Sequence, residues 1–498
     1  MSYPRILIAA LAVVLFAPAV AADEIGSNLS FDELVERPGG STGLAGWTLR
    51  ADGVEIRIDT EIVHGGRQSL RLRYQEDVRS GLASQSVPVE RLRGRTLIVG
   101  GYLRGDAIDG RYSGPFVRVD GEDGILVLTH ADLMEPRGTF PWTRFEMQVP
   151  VDRDATAVYV GVDARGEGTL WVDDLYMESV AQPRDRPSAE VMAYLDAAWD
   201  TFREESILRD EVDWDELRES TERQLPGARY SDEAWGALRG ALNRIGDGHS
   251  LFMTPAEVAR WATQRPSPHE AEESTPTAKL LGGRIGYLVV PKLLSAEEQT
   301  QLNYASILQT LIARAEERDP CGYIVDLRGN SGGNMWPMLL GLGPLVGEGE
   351  VGAFVDADGE GEVWSYHDGG VFNGAQRLMS LGQPITTLDP LPPVALLTDQ
   401  RTASSAESIT AVFRGRTDSL SFGQDTAGLS TGNRGFVLPD ESRIFLTTTA
   451  VADRTGTAYG KRIPVEHPVA PADGEVALDD DPVVIAAREW LAEAYACD

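Results

Sequence analysis

Lysine and cysteine are scarce in this sequence of 498 residues. The lysines are Lys279, Lys292 and Lys461, and the cysteines are Cys321 and Cys497. Two cysteines so far apart give no metal-ligand spacing, and we predict neither a metal nor a cofactor. Only one intramolecular disulfide, between Cys321 and Cys497, is available, and its formation is left open at this point.

Positive charge is also in short supply, because 45 Lys and Arg residues stand against 77 Asp and Glu residues, a net charge of −32. That negative field repels nucleic acids and anionic lipid surfaces, so we exclude both as partners. A hydrophobic content of 42% indicates a globular protein. The length predicts two or three domains.

Residues 1–22 have the pattern of a secretory signal peptide. Arg5 gives a positive start, residues 6–17 are apolar but too short to span a bilayer, and residues 19–21 offer small side chains for cleavage. No later stretch is long and apolar enough to cross a membrane. We therefore expect an exported protein, either periplasmic or extracellular, with an uncleaved anchor as the alternative.

Residues 26–180 contain short runs in which apolar and polar side chains alternate, separated by turns rich in Gly and Asp. Such runs include 54–58, 69–73 and 96–99. Many short strands at this spacing predict an all-β sandwich. In residues 65–70 and 166–174 the segment resembles the galactose-binding-like jelly rolls, which include many carbohydrate-binding modules.

The jelly-roll resemblance implies a fold but no particular ligand. Trp47, Trp142 and Trp171 could stack on a sugar, which would make carbohydrate a partner of this domain. The alternative is that these tryptophans pack in the core or at its rim.

A polar linker at 183–187 separates the sandwich from a helical region, which we place at residues 188–264 as the N-terminal part of a peptidase unit. Ser188 is the predicted N-cap of its first helix. The apolar residues on one face of that helix are Val191, Tyr194, Leu195, Ala198 and Trp199. Residues 265–278 are polar and predict a loop. Strands then alternate with helices, so residues 279–493 are predicted to form an α/β core with reactive groups at the strand ends.

Three short segments carry groups suited to nucleophilic catalysis. Residues 326–333 run from a buried strand into a glycine-rich turn, whose backbone N–H groups can point at a ligand. Residues 402–407 place Ser404 before a helix, whose dipole stabilises developing negative charge. Residues 247–250 offer His249 as a general base. Each segment also has an ordinary explanation, namely a tight turn, a helix N-cap box and a surface histidine.

Together these segments resemble the C-terminal-processing (tail-specific) and tricorn-core family of serine peptidases, over roughly residues 190–493. The resemblance implies a core of the ClpP and crotonase type that hydrolyses peptide bonds in a protein or peptide substrate. It also implies Ser404 as the nucleophile, with the N–H groups of Ser405 and of Gly332 or Gly333 as the oxyanion hole.

The family activates its serine in two ways. Tail-specific members use a lysine about 25 residues after the serine, where this chain has Leu429, and leucine cannot accept a proton. Resemblance to the tricorn-like branch instead implies His249 as the general base. That branch has a glutamate at the position of Tyr459, so Tyr459 is the candidate orienting group, with Asp453 and Glu466 as alternatives.

We therefore predict an exported serine endopeptidase. One alternative is a non-catalytic ligand-binding protein on the same fold, in keeping with the missing lysine. Another is an esterase acting on envelope or polysaccharide material. Only about 30 residues separate His249 from the strand at Ile285, too few for the peptide-binding PDZ domain of tail-specific proteases. Substrate selection would then depend on the sandwich or on the insert at 335–393.

Overall fold

The structure is a computed structural model. It describes residues 25–36, 42–52, 54–74, 80–131, 137–263, 272–385, 387–474, 476–495 and 497. The predicted signal peptide and residues 265–271 of the predicted loop lie outside the described residues. The chain divides into two compact units, residues 1–197 with 213–246 and residues 198–212 with 247–498. In the part that is described, no helix combines the length and the apolar character that crossing a membrane requires.

The first unit consists mainly of antiparallel strands. They are β1 (Leu34–Glu36), β2 (Thr42–Leu44), β3 (Thr48–Asp52), β4 (Val54–Asp59), β5 (Ser69–Tyr74), β6 (Ser80–Val87), β7 (Arg95–Gly121), β8 (Gly124–His130), β9 (Gly138–Val151) and β10 (Ala157–Ala181). The helices that follow are α1 (Ala189–Glu205), within which the two units divide, α2 (Trp214–Glu222) and α3 (Trp235–Ile245).

Side-chain alternation builds the sandwich core. In β5 Leu70 and Leu72 are fully buried, whereas Arg71 between them is half-buried. The long strand β10 pairs with β7 on one side and, on the other, first with β6 and then with β5. Its register against β7 shifts between Arg165 and Thr169, where the pairing changes from β6 to β5. Bulges of this kind let one strand serve both layers, and the predicted β-sandwich is confirmed.

Residues 213–246, which we expected in the peptidase unit, cluster with the sandwich. Helix α3 lies directly against β8. A Cβ at Gly240 would come within 2.1 Å of the Leu126 carbonyl oxygen, and one at Gly236 within 3.1 Å of Val127. The two glycines therefore let the helix backbone approach the strand closely.

Helix α1 begins as predicted. The Ser188 hydroxyl accepts a hydrogen bond from the Val191 N–H at 3.2 Å, which is the geometry of an N-cap. All five apolar residues expected on the inner face of this helix are buried.

The second unit combines two sheets with helices. Its strands are β11 (Leu251–Met253), β12 (Thr277–Leu281), β13 (Ile285–Val289), β14 (Gly322–Asp326), β15 (Gly349–Val355), β16 (Gly361–His367), β17 (Gly370–Asn373), β18 (Gln376–Ser380), β19 (Val394–Thr398), β20 (Ser419–Gly423), β21 (Thr431–Val437), β22 (Arg443–Asp453) and β23 (His467–Pro468). Its helices are α4 (Pro255–Thr263), α5 (Glu298–Glu316), α6 (Met335–Val346), α7 (Ser405–Phe413) and α8 (Pro482–Tyr495).

The central sheet of this unit has the order β12-β13-β14-β19-β20-β23, and β13, β14, β19 and β20 run parallel. Strands β14 and β19 are buried along their whole length. Val325 packs in the cluster that contains α5 and α6, whereas Ile324 packs in the cluster that contains α8. Helices thus cover both faces of the sheet, as the βα alternation predicted.

A disulfide joins Cys321 and Cys497, which are 176 positions apart. It ties the residue before β14 to the chain after α8. The pairing that the sequence left open is therefore formed.

Candidate active site

Two of the predicted segments leave the central sheet at the same edge. The glycine turn follows β14 and the Ser404 turn follows β19, and these strands are parallel neighbours. In parallel sheets ligands bind at the carboxyl ends of the strands. The topology therefore explains why segments about 70 residues apart in sequence converge.

The first part of the glycine turn is held by ion pairs. The Arg328 guanidinium binds Asp326 at 2.6 Å and Asp481 at 2.7 Å. Tyr287 donates its hydroxyl to Asp326 at 2.6 Å. Burial by itself lowers the pKa of Arg328, but the two carboxylates raise it more, so the group stays charged. Arg328 therefore anchors the turn to the start of α8.

The glycines reach the serine turn by close backbone approach. Gly332 has a φ of 104°, and a Cβ there would lie 2.8 Å from Ser404 Cβ and 3.2 Å from Ser405 N. Ser405 donates its hydroxyl to the Gly333 carbonyl at 2.6 Å. A side chain at residue 332 would thus collide with the Ser404 turn, which accounts for glycine at that position.

Ser404 has a strained backbone, with φ 53° and ψ −118°. It stands at the end of the turn between β19 and α7, as the residue just before the helix. Non-glycine residues rarely adopt positive φ, and such strain collects at functional sites. A strained turn from strand to helix is also how other serine hydrolases expose a nucleophilic Oγ.

Glu407 holds this turn from beneath. Its buried carboxylate accepts hydrogen bonds from Ser404 N at 2.8 Å, Leu429 N at 2.8 Å, Gly428 N at 2.9 Å and Thr426 Oγ1 at 2.5 Å. Burial raises the pKa of Glu407, and the four donors act in the opposite direction. In the predicted N-cap box, the hydrogen bond from the Ser404 N–H to the Glu407 side chain is therefore formed. It is formed although Ser404 has a strained backbone.

Two N–H groups beside Ser404 have no acceptor among the described residues, namely those of Ser405 and Gly333. The Gly332 N–H donates instead to Asn330 Oδ1 at 2.9 Å. An oxyanion hole needs N–H groups that are free to bind the developing charge. Of the two glycines proposed from the sequence, the geometry therefore favours Gly333.

His249 sits in a turn held by Asp247, whose carboxylate accepts the His249 N–H at 2.8 Å. The ring Nδ1 lies 2.7 Å from Thr431 Oγ1 at the start of β21. Burial lowers the pKa of His249, and the charge of Asp247 only partly opposes this. Within the described residues the ring bonds to Thr431 and not to Ser404.

A short series of contacts nevertheless connects the histidine and the serine. The Leu429 N–H and the Ser404 N–H share the same oxygen of Glu407. Thr431, which contacts the His249 ring, follows Leu429 by two residues. Catalytic hydrogen bonds are often longer before substrate binds, so this arrangement is compatible with a serine and histidine pair.

The three orienting candidates have other partners. Tyr459 donates its hydroxyl to Asp453 Oδ2 at 2.6 Å, and Glu466 pairs with Arg414 at 2.5 Å. Burial raises the pKa of Tyr459, and the bond to Asp453 adds to this. The structure thus places Thr431, which the sequence reasoning missed, at the ring nitrogen of His249. Its nearest sequence signal is its position two residues after Leu429.

The described residues contain no group of three or more His, Cys, Asp or Glu side chains that could hold a metal ion. Ser404 on a strained turn, N–H groups beside it and a half-buried histidine in the same unit are the groups that a serine hydrolase uses.

Residues 284–467 match peptidase family S41. This match lies in the second unit, and the predicted serine-type peptidase is confirmed. The matched range includes Ser404, both turn glycines and Tyr459, and it begins after His249.

Three known proteins illustrate the similarity. The nisin-resistance protein of Lactococcus lactis subsp. lactis is 27% identical over 273 residues, which are 55% of this chain and 80% of the relative. The structure of a photosystem II D1 C-terminal processing protease is 15% identical, with a TM-score of 0.43, and covers 60% of this chain and 97% of its own. A family 22 xylan-binding domain from Paenibacillus barcinonensis is 17% identical, with a TM-score of 0.23, over 27% of this chain and 86% of its own.

Proposed function

We propose that this protein is an exported serine endopeptidase with Ser404 as nucleophile and His249 as general base. The observation that supports this best is the strained Ser404 beside two N–H groups that lack acceptors among the described residues. Donors of this kind can bind charge that exists only during reaction, so they favour catalysis over passive ligand binding.

The proposed reaction assigns one step to each of these groups. His249 Nε2 takes the Ser404 proton as Oγ bonds to the peptide carbonyl carbon, and the N–H groups of Ser405 and Gly333 bind the resulting oxyanion. His249 then protonates the leaving nitrogen, the C–N bond breaks, and an acyl ester remains on Ser404. Water then loses a proton to His249 and attacks the ester carbon. The Oγ–C bond breaks, the carboxylic acid product leaves, and His249 returns the proton to Ser404 Oγ.

Export rests on two features of the chain. The first 22 residues have the pattern of a signal peptide. The Cys321–Cys497 disulfide is of a kind that persists in oxidising compartments such as the periplasm or the extracellular space. Cell fractionation tests export, and a protein confined to the cytoplasm would contradict it. Mass spectrometry of the exported protein then tests cleavage, since an N-terminus at residue 1 would indicate the uncleaved anchor.

The peptidase proposal is tested by labelling with a fluorophosphonate probe and by assays on casein and on nisin, which the name of the relative makes a natural first substrate. Wild type should label and cleave, whereas Ser404→Ala should do neither while keeping its melting temperature. Ser306→Ala, at an exposed helical serine, serves as the control. Absence of labelling in folded wild type would favour the ligand-binding alternative, and ester cleavage without peptide cleavage would favour the esterase.

A second function, carbohydrate binding, is favoured by an aromatic and polar face on the first unit. The His64 ring stacks on Tyr102 at 3.6 Å, and Trp142 meets His64 edge-on at 5.7 Å. Arg144, two residues after Trp142 in β9, donates a hydrogen bond to the hydroxyl of Tyr176 in β10 at 2.8 Å. Aromatic faces next to hydrogen-bonding groups are suited to sugar rings.

Of the three tryptophans proposed to stack on a sugar, only Trp142 is accessible enough to do so. Trp47 and Trp171 are buried, and their indole N–H groups donate to Asn28 and Asp59. Trp142 is half-buried on the aromatic face. The packing alternative therefore applies to Trp47 and Trp171, and Trp142 becomes the candidate.

Affinity electrophoresis in gels containing xylan or other polysaccharides tests this second function. Wild type should be retarded by at least one polysaccharide, and Trp142→Ala should migrate freely. Trp261→Ala, which removes an exposed tryptophan of the other unit, should behave as wild type. Equal migration of wild type and Trp142→Ala in every gel would contradict sugar binding at this face.

A further inference from the structure

We infer that Thr431 is the positioning residue for His249. Its hydroxyl accepts the Nδ1 proton and so selects the tautomer in which Nε2 is free to take the proton of Ser404. This inference rests on the proposed peptidase function, and it assigns to a neutral hydroxyl the task for which the sequence suggested Tyr459.

The Thr431 hydroxyl contacts the His249 ring directly. The distance of 2.7 Å between His249 Nδ1 and Thr431 Oγ1 is that of a well-formed hydrogen bond. Thr431 is buried, with 8% of its surface exposed, and it pairs with Ala450 of β22 as the first residue of β21. A branched side chain on a paired strand has few rotamers, so the hydroxyl is held in place.

Strand β21, which carries Thr431, also binds the backbone of His249. Asn433, two residues after Thr431, donates its side-chain amide to the His249 carbonyl at 2.9 Å. Asn433 in turn accepts a hydrogen bond from Thr447 Oγ1 at 3.0 Å. Strand β21 therefore fixes both the ring and the main chain of His249.

Thr431 is also held in a defined position relative to the proposed nucleophile, Ser404. Glu407 binds the N–H groups of Ser404 and Leu429 through one oxygen. Since Thr431 follows Leu429 by two residues, one buried carboxylate sets the start of β21 relative to the serine turn. The Glu407 carboxylate thus positions both the proposed base and the proposed nucleophile.

The other candidate orienting groups have different partners. The tricorn-like position of the orienting glutamate is Tyr459, which is bonded to Asp453. Glu466 is bonded to Arg414 and to Ser421. The charged group that acts on His249 is Asp247, and it contacts the backbone of the same turn. Among the described residues, Thr431 is the partner of the ring.

The kinetic test compares Thr431→Val with Thr431→Ser. Valine keeps the shape and removes the hydroxyl, whereas serine retains it. The rate of Ser404 labelling by a fluorophosphonate should fall about 10- to 100-fold in Thr431→Val, the scale of losses of such supporting hydrogen bonds, and should stay near wild type in Thr431→Ser. Thr449→Val, on the neighbouring strand, is the matched control. A Thr431→Val protein that labels as fast as wild type would overturn the inference.

A second measurement does not depend on activity or on a substrate. The chain has six histidines, so 15N labelling of histidine gives a tractable spectrum, and His249→Gln identifies the His249 signals. Above the titration range, wild type should show the tautomer protonated at Nδ1, and Thr431→Val should show a shifted tautomer ratio. Unchanged His249 shifts in folded Thr431→Val would overturn the inference. Absence of labelling in wild type would instead overturn the proposed peptidase function, and the tautomer measurement would still decide the role of Thr431.

Discussion

The serine turn at 402–407 and the histidine turn at 247–250 are stabilised by different chemistry. The serine turn is strained and is fixed by a buried carboxylate with four donors. The ring of the histidine contacts a neutral hydroxyl, and the carboxylate of its turn binds backbone N–H groups.

This contrast follows from what each residue has to do. Positive φ at Ser404 is costly, so strong charge-assisted hydrogen bonds are needed to hold the backbone in that conformation. In the proposed mechanism His249 alternates between neutral and charged forms. A neutral partner fixes its ring without holding it in the charged form. The comparison predicts that the serine turn is sensitive to loss of charge and the histidine turn to loss of a single hydroxyl.

The largest effect is expected from Glu407→Gln. A glutamine amide can accept at only one of its two positions, so two of the four donors would face an NH2 group. Each unsatisfied buried group costs about 1 to 3 kcal/mol of the free energy of unfolding. We expect a clearly lowered melting temperature and loss of most labelling at Ser404.

Glu317→Gln, at an exposed position in the same unit, is the control for Glu407→Gln. It should leave both the melting temperature and the labelling rate unchanged. If Glu407→Gln melted and labelled like the control, the carboxylate would not be what fixes the serine turn.

The histidine turn is tested by the pH dependence of kcat/KM. The base has to be neutral, and burial lowers the pKa of His249 below its ordinary value of 6.5. Activity should therefore be full above that value and fall as the pH drops through a midpoint lower than 6.5. A rise in activity only above pH of about 8 would indicate a different base, since an ordinary lysine titrates near 10.4.

The smallest effect is expected from Tyr459→Phe. The phenol bonds to Asp453, which also accepts hydrogen bonds from Thr455 and Thr457. Its loss should cost about 1 kcal/mol of stability and change kcat less than about twofold. A tenfold fall in kcat with an intact fold would restore Tyr459 as the orienting group in place of Thr431.

Residue patterns predicted the sandwich and an α/β core with reactive groups at its strand ends, and the family resemblance implied that the glycine and serine turns meet. These features depend on local alternation and on the rule that parallel strands expose their carboxyl ends together. The assignment of residues 213–246 was not predictable in this way, because an amphipathic helix does not reveal which surface it covers. Gly236 and Gly240 allow α3 to pack closely against β8, and this role is visible only in the structure.

The sequence by itself determined the candidate nucleophile segment, the leucine at the position of the family's lysine and the single possible disulfide, since each depends on residue identity or near neighbours. Tertiary structure alone decided which side chain meets the His249 ring. Thr431 is 182 positions from His249, and a threonine at a strand end has no distinctive pattern. Hydrogen bonds between distant segments depend on sheet register and chain crossing, so Tyr459 is drawn to Asp453 and the ring of His249 to Thr431.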